Sequence, residues 1–304
     1  MKILITGGNG FIGSYVTKAL LKRGEDVAIY STFKNKSIDL EDDQHLTFIR
    51  GNIINAESLI NAVCDYHPDV ILHLAAITGI KRCLEKSYES FVTNVYGTFN
   101  VVLAARKINA KLIFASSREV YGETKGEKSS EDASPCPNNL YGLTKQLGEE
   151  IIKWGGKKHG LDFTILRISN IYGPGGDKYN VQAMILKALK EERIEILGGD
   201  QIMNLIHVED VAESILTSIF NKKSSREVFN VGSENITVRE LVRRIVQILE
   251  EFGREVKIKE MQYRPSETIY FKPDISKIVK VLGWKPQISL DTGLYRTIKH
   301  YLKS

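Results

Sequence analysis

The first two-thirds of the chain alternates short, nearly continuous apolar runs with amphipathic stretches. That rhythm predicts βαβ units around a parallel sheet. The expected strands are Lys2–Thr6, Asp26–Tyr30, Leu46–Arg50, Val70–Leu74, Lys111–Ala115 and Phe163–Ile168. Most are β-branched and apolar at successive positions, as a sheet covered by helices on both faces requires. Between the first two runs, Ile12, Val16, Ala19 and Leu20 share one helical face, and Gly24 closes a helix expected over Ile12–Arg23.

Beyond Ile171 the rhythm changes. Pro174, Gly175 and Gly176 break the chain, and later elements no longer alternate regularly. Thr237 and Glu240 form a capping box for a helix through Leu241, Ile245 and Leu249, and Val228–Val231 is expected to return to the main sheet as a strand. The expected class is α/β: a doubly wound, parallel-sheet Rossmann fold over residues 1–170, rejoined by 207–233. Residues 171–206 and 234–304 are left for a smaller C-terminal α/β lobe.

Charge and cysteine content narrow the setting. The net charge of +5 comes from 42 basic and 37 acidic residues that are interspersed, which predicts a solvated surface and no nucleic-acid partner. Lys153–Lys158 is expected to be solvated helix surface for the same reason. Cys64, Cys83 and Cys136 show no CxxC spacing and are expected to be free thiols in a reducing compartment. Met1 leads straight into the first strand without the apolar core of a signal peptide, and no apolar run reaches membrane-spanning length. A cytoplasmic protein without a membrane partner is expected. No His, Cys, Asp and Glu grouping has metal-ligand spacing, so no metal is expected.

The first chemical signal is Gly7-Gly8-Asn9-Gly10-Phe11-Ile12-Gly13, directly after one expected strand and opening a helix. Glycine permits the sharp turn, close approach of a pyrophosphate to the backbone, and tight packing of helix on strand. The helix N-terminus adds N–H donors and partial positive charge. Gly7, Gly10, Phe11, Ile12 and Gly13 are therefore candidate dinucleotide contacts. At the end of the second strand, where an acidic residue would hold the ribose of NAD, the chain has Ser31, Thr32, Phe33 and Lys34. Two hydroxyls and a cation favour the 2′-phosphate of NADP, with NAD the alternative through Ser31.

The second signal is Tyr141-Gly142-Leu143-Thr144-Lys145, which places a phenol and an ammonium on one face of a helix. The ammonium stabilises a phenolate, making Tyr141 a usable base, and Lys145 can also reach the nicotinamide ribose. Ser117, in Ser116-Ser117-Arg118-Glu119-Val120-Tyr121-Gly122 after the fifth strand, can donate to the same substrate oxygen.

Together these segments resemble the extended short-chain dehydrogenase/reductases of the NAD-dependent epimerase/dehydratase family, over nearly the whole chain. His73-Leu74-Ala75-Ala76 is similar to the family's fourth-strand motif, and Asn94 stands at its central-helix asparagine. Asn52-Ile53 stands where the family usually has Asp and an apolar residue near the adenine. Leu166-Arg167-Ile168-Ser169-Asn170-Ile171-Tyr172-Gly173-Pro174 resembles the segment whose asparagine touches a sugar diphosphate. His207-Val208-Glu209-Asp210-Val211 and the later Arg264-Pro265-Ser266-Glu267 resemble the C-terminal pattern in which an arginine grips the phosphates. The resemblance implies Asn52, Ile53, Leu74, Ala75, Ala76 and Asn94 at the cofactor, and Asn170 and Arg264 at the substrate. It also implies a nucleotide sugar as substrate, a smaller lobe that binds it, and a homodimer. The face through Leu147, Ile151 and Ile152 serves either as core or as that dimer's interface. Met203 or Asn204 stands where the family usually has arginine. His73 and His207 are expected to be structural.

The resemblance implies a common first step, in which Tyr141 takes the proton of the sugar 4-hydroxyl, C4 is oxidised, Ser117 shares the hydrogen bond and Lys145 stabilises the phenolate. Return of hydride to the other face makes a 4-epimerase of UDP-glucose/galactose type, the expected function. Glu119 stands where the family's 4,6-dehydratases and uronic-acid decarboxylases carry a catalytic glutamate, so dehydration, decarboxylation or 4-keto reduction is the alternative. Dehydratases usually pair that glutamate with Asp, and here Arg118 stands beside it, so a structural role through a salt bridge is equally open. A non-catalytic dinucleotide-binding scaffold is the third reading, which the set Ser117, Tyr141 and Lys145 disfavours.

Overall fold

The computed structural model describes residues 1–32, 43–124, 128–176, 180–261 and 270–303. Seven strands form one all-parallel sheet: β1 (Lys2–Thr6), β2 (Asp26–Ser31), β3 (Leu46–Arg50), β4 (Val70–His73), β5 (Lys111–Ser117), β6 (Phe163–Ile168) and β7 (Glu227–Val231). Their spatial order is β7-β6-β5-β4-β1-β2-β3. The order in which strands are added therefore reverses between β1 and β4, which opens a crevice at the carboxyl ends of those two parallel strands.

Alternation along the strands divides the core into two layers. Ile3, Ile5, Val27 and Leu72 face helices α1 (Phe11–Leu21) and α5 (Val208–Phe220). Leu4, Ala28, Ile71 and Phe114 face α2 (Ala56–Tyr66), α3 (Gly97–Lys107) and α4 (Leu140–His159). Strand β4 ends one residue early, at His73, although Leu74 N–H still donates to Thr6 O at 3.1 Å. Strand β5 runs two residues beyond its apolar stretch, and Ser117 is its last residue.

A third apolar cluster, separate from the sheet's two layers, holds Tyr172, Ile185, Leu205, Ile236, Leu241, Ile245 and Leu294. It is built around a small sheet in which Ile202–His207 runs parallel to Asn170–Tyr172 and antiparallel to Glu234–Thr237. Thr237 caps the helix Val238–Glu251 by accepting from Glu240 N at 3.2 Å, half of the expected box; the Glu240 carboxylate turns instead to Arg244. Lys128–Ser129 pairs with Lys272–Pro273, clasping the loop after β5 to the C-terminal segment.

One buried ion pair joins the elements that surround the end of β5. Glu149 on α4 is fully buried and receives Arg167 of β6 at 2.8 and 3.0 Å and the Ser116 hydroxyl at 2.6 Å. Arg167 also donates to the Tyr121 hydroxyl at 2.8 Å, which donates to Asn230 of β7 at 2.7 Å. Asn230 then donates to the carbonyls of Ser129 and Asp274. Burial works against the charge on Arg167, but Glu149 and Tyr121 together hold its pKa above the ordinary arginine value. Removing one partner leaves a buried, uncompensated charge. Arg167→Met is expected to cost about 3–5 kcal/mol in urea denaturation, with much of it regained in the Glu149→Leu, Arg167→Met double variant.

Candidate functional site

The glycine turn lies at the carboxyl end of β1. Gly7 adopts φ +72°, and a Cβ there would stand 3.0 Å from the Ala75 backbone. At Gly13 a Cβ would come within 2.6 Å of Gly7 O and the Gly8 backbone. Only glycine keeps this turn closed against both the helix and the segment after β4. Gly10 caps α1 without a side-chain hydrogen bond, so the helix start, with Phe11 and Ile12 half-buried in its first turn, presents backbone donors rather than a capping side chain. This is a cradle that a pyrophosphate fits.

Around it, Ser31 donates to Asn9 Oδ1 at 2.8 Å, so its hydroxyl braces the turn, while Thr32 is exposed. Lys34 lies outside the described residues. Asn52 is exposed and its Oδ1 accepts from Ile54 N, whereas Ile53 is a core residue whose carbonyl accepts from Asn100. Leu74, Ala75 and Ala76 are half-buried beside Gly7. The amide of buried Asn94, in the π-helical turn Val92–Tyr96, accepts from Ile77 N and donates to Ile77 O and Thr144. Its side chain thus fixes the segment 74–77 rather than pointing out of it.

His73 sits beneath that segment in a directed chain. Thr98 gives its proton to Asn94 O at 2.6 Å, so it accepts from His73 Nε2 at 3.0 Å, and Nδ1 accepts from Thr6 at 2.8 Å. Burial, reinforced by Lys145, lowers the imidazole pKa to about 3, so it is neutral. It is a structural histidine.

The phenol and ammonium lie at the start of α4. Asn139 caps this helix by accepting from Gly142 N at 2.9 Å. The helix abuts the short turn Arg118–Tyr121 so closely that a Cβ on Gly142 would stand 2.3 Å from Glu119 O. Lys145 is buried, donates to Ala115 O at 2.8 Å and lies over the Phe114 ring at 4.8 Å and the Tyr141 ring at 6.0 Å. Burial lowers its pKa to about 8, and Cys83 and Glu149 partly restore it. Ser117 ends β5 two residues after Ala115, and its Oγ accepts from Glu119 N at 3.2 Å. Ser117, Tyr141 and Lys145 therefore share one corner, at the crevice edge.

Glu119 is buried in the same corner with both oxygens engaged. Arg118 meets one at 2.7 Å, and Asn139 donates to the other at 2.8 Å. The helix-capping amide and the glutamate orient each other, a link that the sequence reading did not make. An Asn two residues before Tyr141 is a helix-cap signal that could have suggested half of it.

The remaining candidates are spread across the lobe. Asn170 donates to Asn204 O at 3.0 Å, and Asn204 itself is buried and bonded to Ser233 and Asn235. Met203 is half-buried against the lobe's apolar cluster. His207 caps α5, and Asp210 in its first turn accepts from the backbone of Gln287 and Ile288, so this motif ties down the C-terminal segment. Arg264 lies outside the described residues. Among the described residues no helix is long and apolar enough to cross a membrane.

Residues 3–232 match the profile of the NAD dependent epimerase/dehydratase family. A UDP-N-acetyl-alpha-D-glucosaminuronate decarboxylase of Bacillus cytotoxicus is 33% identical, over 99% of this chain and 97% of its own length. A dTDP-glucose 4,6-dehydratase of Escherichia coli is 27% identical, over 100% and 93%. The crystal structure of UDP-glucuronic acid 4-epimerase from Bacillus cereus, in complex with UDP-glucuronic acid and NAD, superposes with a TM-score of 0.91 at 29% identity, covering 100% of this chain and 99% of that one.

The Lys145 shift has a signed consequence for stability. Between about 8 and the ordinary lysine value near 10.4, the unfolded chain binds more protons than the folded one, so burying Lys145 becomes less costly as pH rises. The stability of the native chain relative to Lys145→Met is expected to increase from pH 8 to pH 10, measured by urea denaturation at each pH.

Proposed function

The chain belongs to the NAD-dependent epimerase/dehydratase family, and we propose on that premise that it is a nucleotide-sugar 4-epimerase. The observation that carries this reading is the engagement of both Glu119 oxygens by Arg118 and Asn139. A carboxylate held that way is tied to the cap of the catalytic helix, which supports a positioning role for it. The acid–base work then falls to Tyr141, Lys145 and Ser117.

The glycine turn, with Leu74, Ala75 and Ala76 beside it, would hold the dinucleotide, which supplies a reversible hydride acceptor. Tyr141, as phenolate, takes the proton of the sugar 4-hydroxyl, and Ser117 donates to that oxygen as it becomes a carbonyl. Lys145, planted between Ala115 O and two rings, keeps the phenolate charged. Reversal of the same transfers on the opposite face of the 4-keto sugar gives the epimer, with no net redox change. Asn170 and the lobe would bind the nucleotide-sugar diphosphate. NAD is the cofactor named with the Bacillus cereus neighbour, whereas the missing carboxylate after β2 leaves room for the 2′-phosphate of NADP.

A second reading is decarboxylation or dehydration with Glu119 as acid–base. It is favoured by the presence of Glu119 itself and by the 33% identical decarboxylase. A homodimer also fits: Phe91, Val95, Phe99, Leu147, Ile151 and Trp154 line an apolar groove of about 410 Å³ on the outer face of α3 and α4, while Ile152 turns into the core.

Mass spectrometry and NMR of products from a panel of nucleotide sugars, with NAD and NADP supplied separately, test the reaction. A product of unchanged mass with C4 inverted is expected, and Tyr141→Phe should lower kcat at least about 100-fold. Loss of water or carbon dioxide would overturn the epimerase and make Glu119 catalytic. Undiminished biological function of Tyr141→Phe would leave only a scaffold.

A further inference from the structure

Arg118 has no part in the chemistry above. It directly follows Ser117 as the first residue of the turn Arg118–Tyr121, with a side chain only 13% exposed. One Nη forms an ion pair with Glu119 at 2.7 Å, and the guanidinium carbon lies 5.3 Å from the centre of the Phe271 ring. Its Nε is buried without a hydrogen-bond partner.

A guanidinium carries five N–H donors in a planar fork and stays charged at any working pH. Glu119 pairs with one Nη of that fork and is itself held by Asn139, so Arg118 is oriented before substrate arrives. The Nε–H, left without a partner, is a charged donor from which a carboxylate can accept. A dry, unpaired donor beside the serine that holds the reacting oxygen is a site for an anion that enters with the substrate.

We propose that Arg118 recognises a carboxylate on the sugar, and that the substrate is a nucleotide-activated uronate. The inference rests on the 4-epimerase reading for its placement of C4 at Ser117. In a pyranose the diphosphate on C1 lies across the ring from C4, whereas the C5 substituent is adjacent to it. A residue next to the C4 oxygen therefore meets the C6 carboxylate before it meets the phosphates. Arg118 also has no proton to give a departing 6-hydroxyl, which separates this site from one built for dehydration.

The test compares UDP-glucuronate with UDP-glucose, and the matching dTDP pair, on the native enzyme, Arg118→Gln and Arg118→Lys. Turnover is followed by NMR. The native enzyme is expected to prefer the uronate, Arg118→Gln to lower kcat/KM about 100-fold more for the uronate than for its neutral partner, and Arg118→Lys to restore part of the preference. Equal losses on both members of a pair would assign Arg118 to the diphosphate or to the fold and overturn the proposal, as would a native preference for the neutral sugar. Calorimetric binding of the same pairs to Tyr141→Phe, with and without Arg118→Gln, reads the preference without any chemistry at C4. Equal binding of both members, or of neither, overturns the proposal independently of the epimerase reading.

Discussion

The site depends on one buried ion pair. Glu149 and Arg167 are both withdrawn from water, and each is held by more than the other: Ser116 and Lys153 reach the carboxylate, and Tyr121 and the Glu131 carbonyl reach the guanidinium. An isolated charge at either position would be intolerable, so α4, β5, β6 and the turn after β5 must keep one mutual geometry. Ser116 precedes Ser117, and Glu149 lies one turn beyond Lys145 on the same helix. Whatever fixes the pair fixes the spacing of the groups at the mouth of the crevice. Through Tyr121 and Asn230 the same constraint extends to the Lys128–Ser129 clasp on the C-terminal segment.

Above that pair, the corner gathers charge where water is scarce. Lys145 is held by a single carbonyl and two ring faces, and its weakened hold on a proton records how little solvent reaches it. His73, one strand over, is kept neutral by burial and by Lys145, with two threonines holding its ring in place, so it adds no competing positive charge beneath the cofactor cradle. Arg118 and Glu119 compensate each other at the end of β5. The arrangement suits a reaction in which a hydroxyl gives up its proton while its carbon gives up a hydride, and both return, because pre-set dipoles need not reorganise.

Much of the fold was legible because nearly continuous apolar runs alternating with amphipathic stretches, and the Gly7 turn, have few alternatives to a doubly wound sheet. Strand ends were less legible. The polar residues Ser116 and Ser117 continue β5 because Arg167 and Ile168 continue beside them, and a partner strand leaves no mark in the local sequence. The separation of Tyr141 from Lys145 could be read directly as helix spacing. The Glu149–Arg167 pair could not, since nothing in the spacing of two charged residues 18 positions apart reveals that both are buried. The positions of Asn94 and Ser31 suggest cofactor contacts, but that their side chains also bond to Ile77 and Asn9 is decided by tertiary neighbours. The clasp of 128–129 on 272–273 joins segments too distant in sequence for any pattern to pair.

The position of β7 also bears on how the chain is made. Strand β6 emerges from the ribosome with Arg167 already able to find Glu149, but its outer edge stays unpaired until Glu227–Val231 is synthesised. Roughly 60 residues separate the two strands, several seconds of translation at about 5–20 residues per second. Throughout that interval a buried-type strand of the nascent chain carries a bare row of hydrogen-bonding groups. The interval after β6 is therefore one in which the nascent polypeptide is open to capture by a neighbouring chain and served by a chaperone.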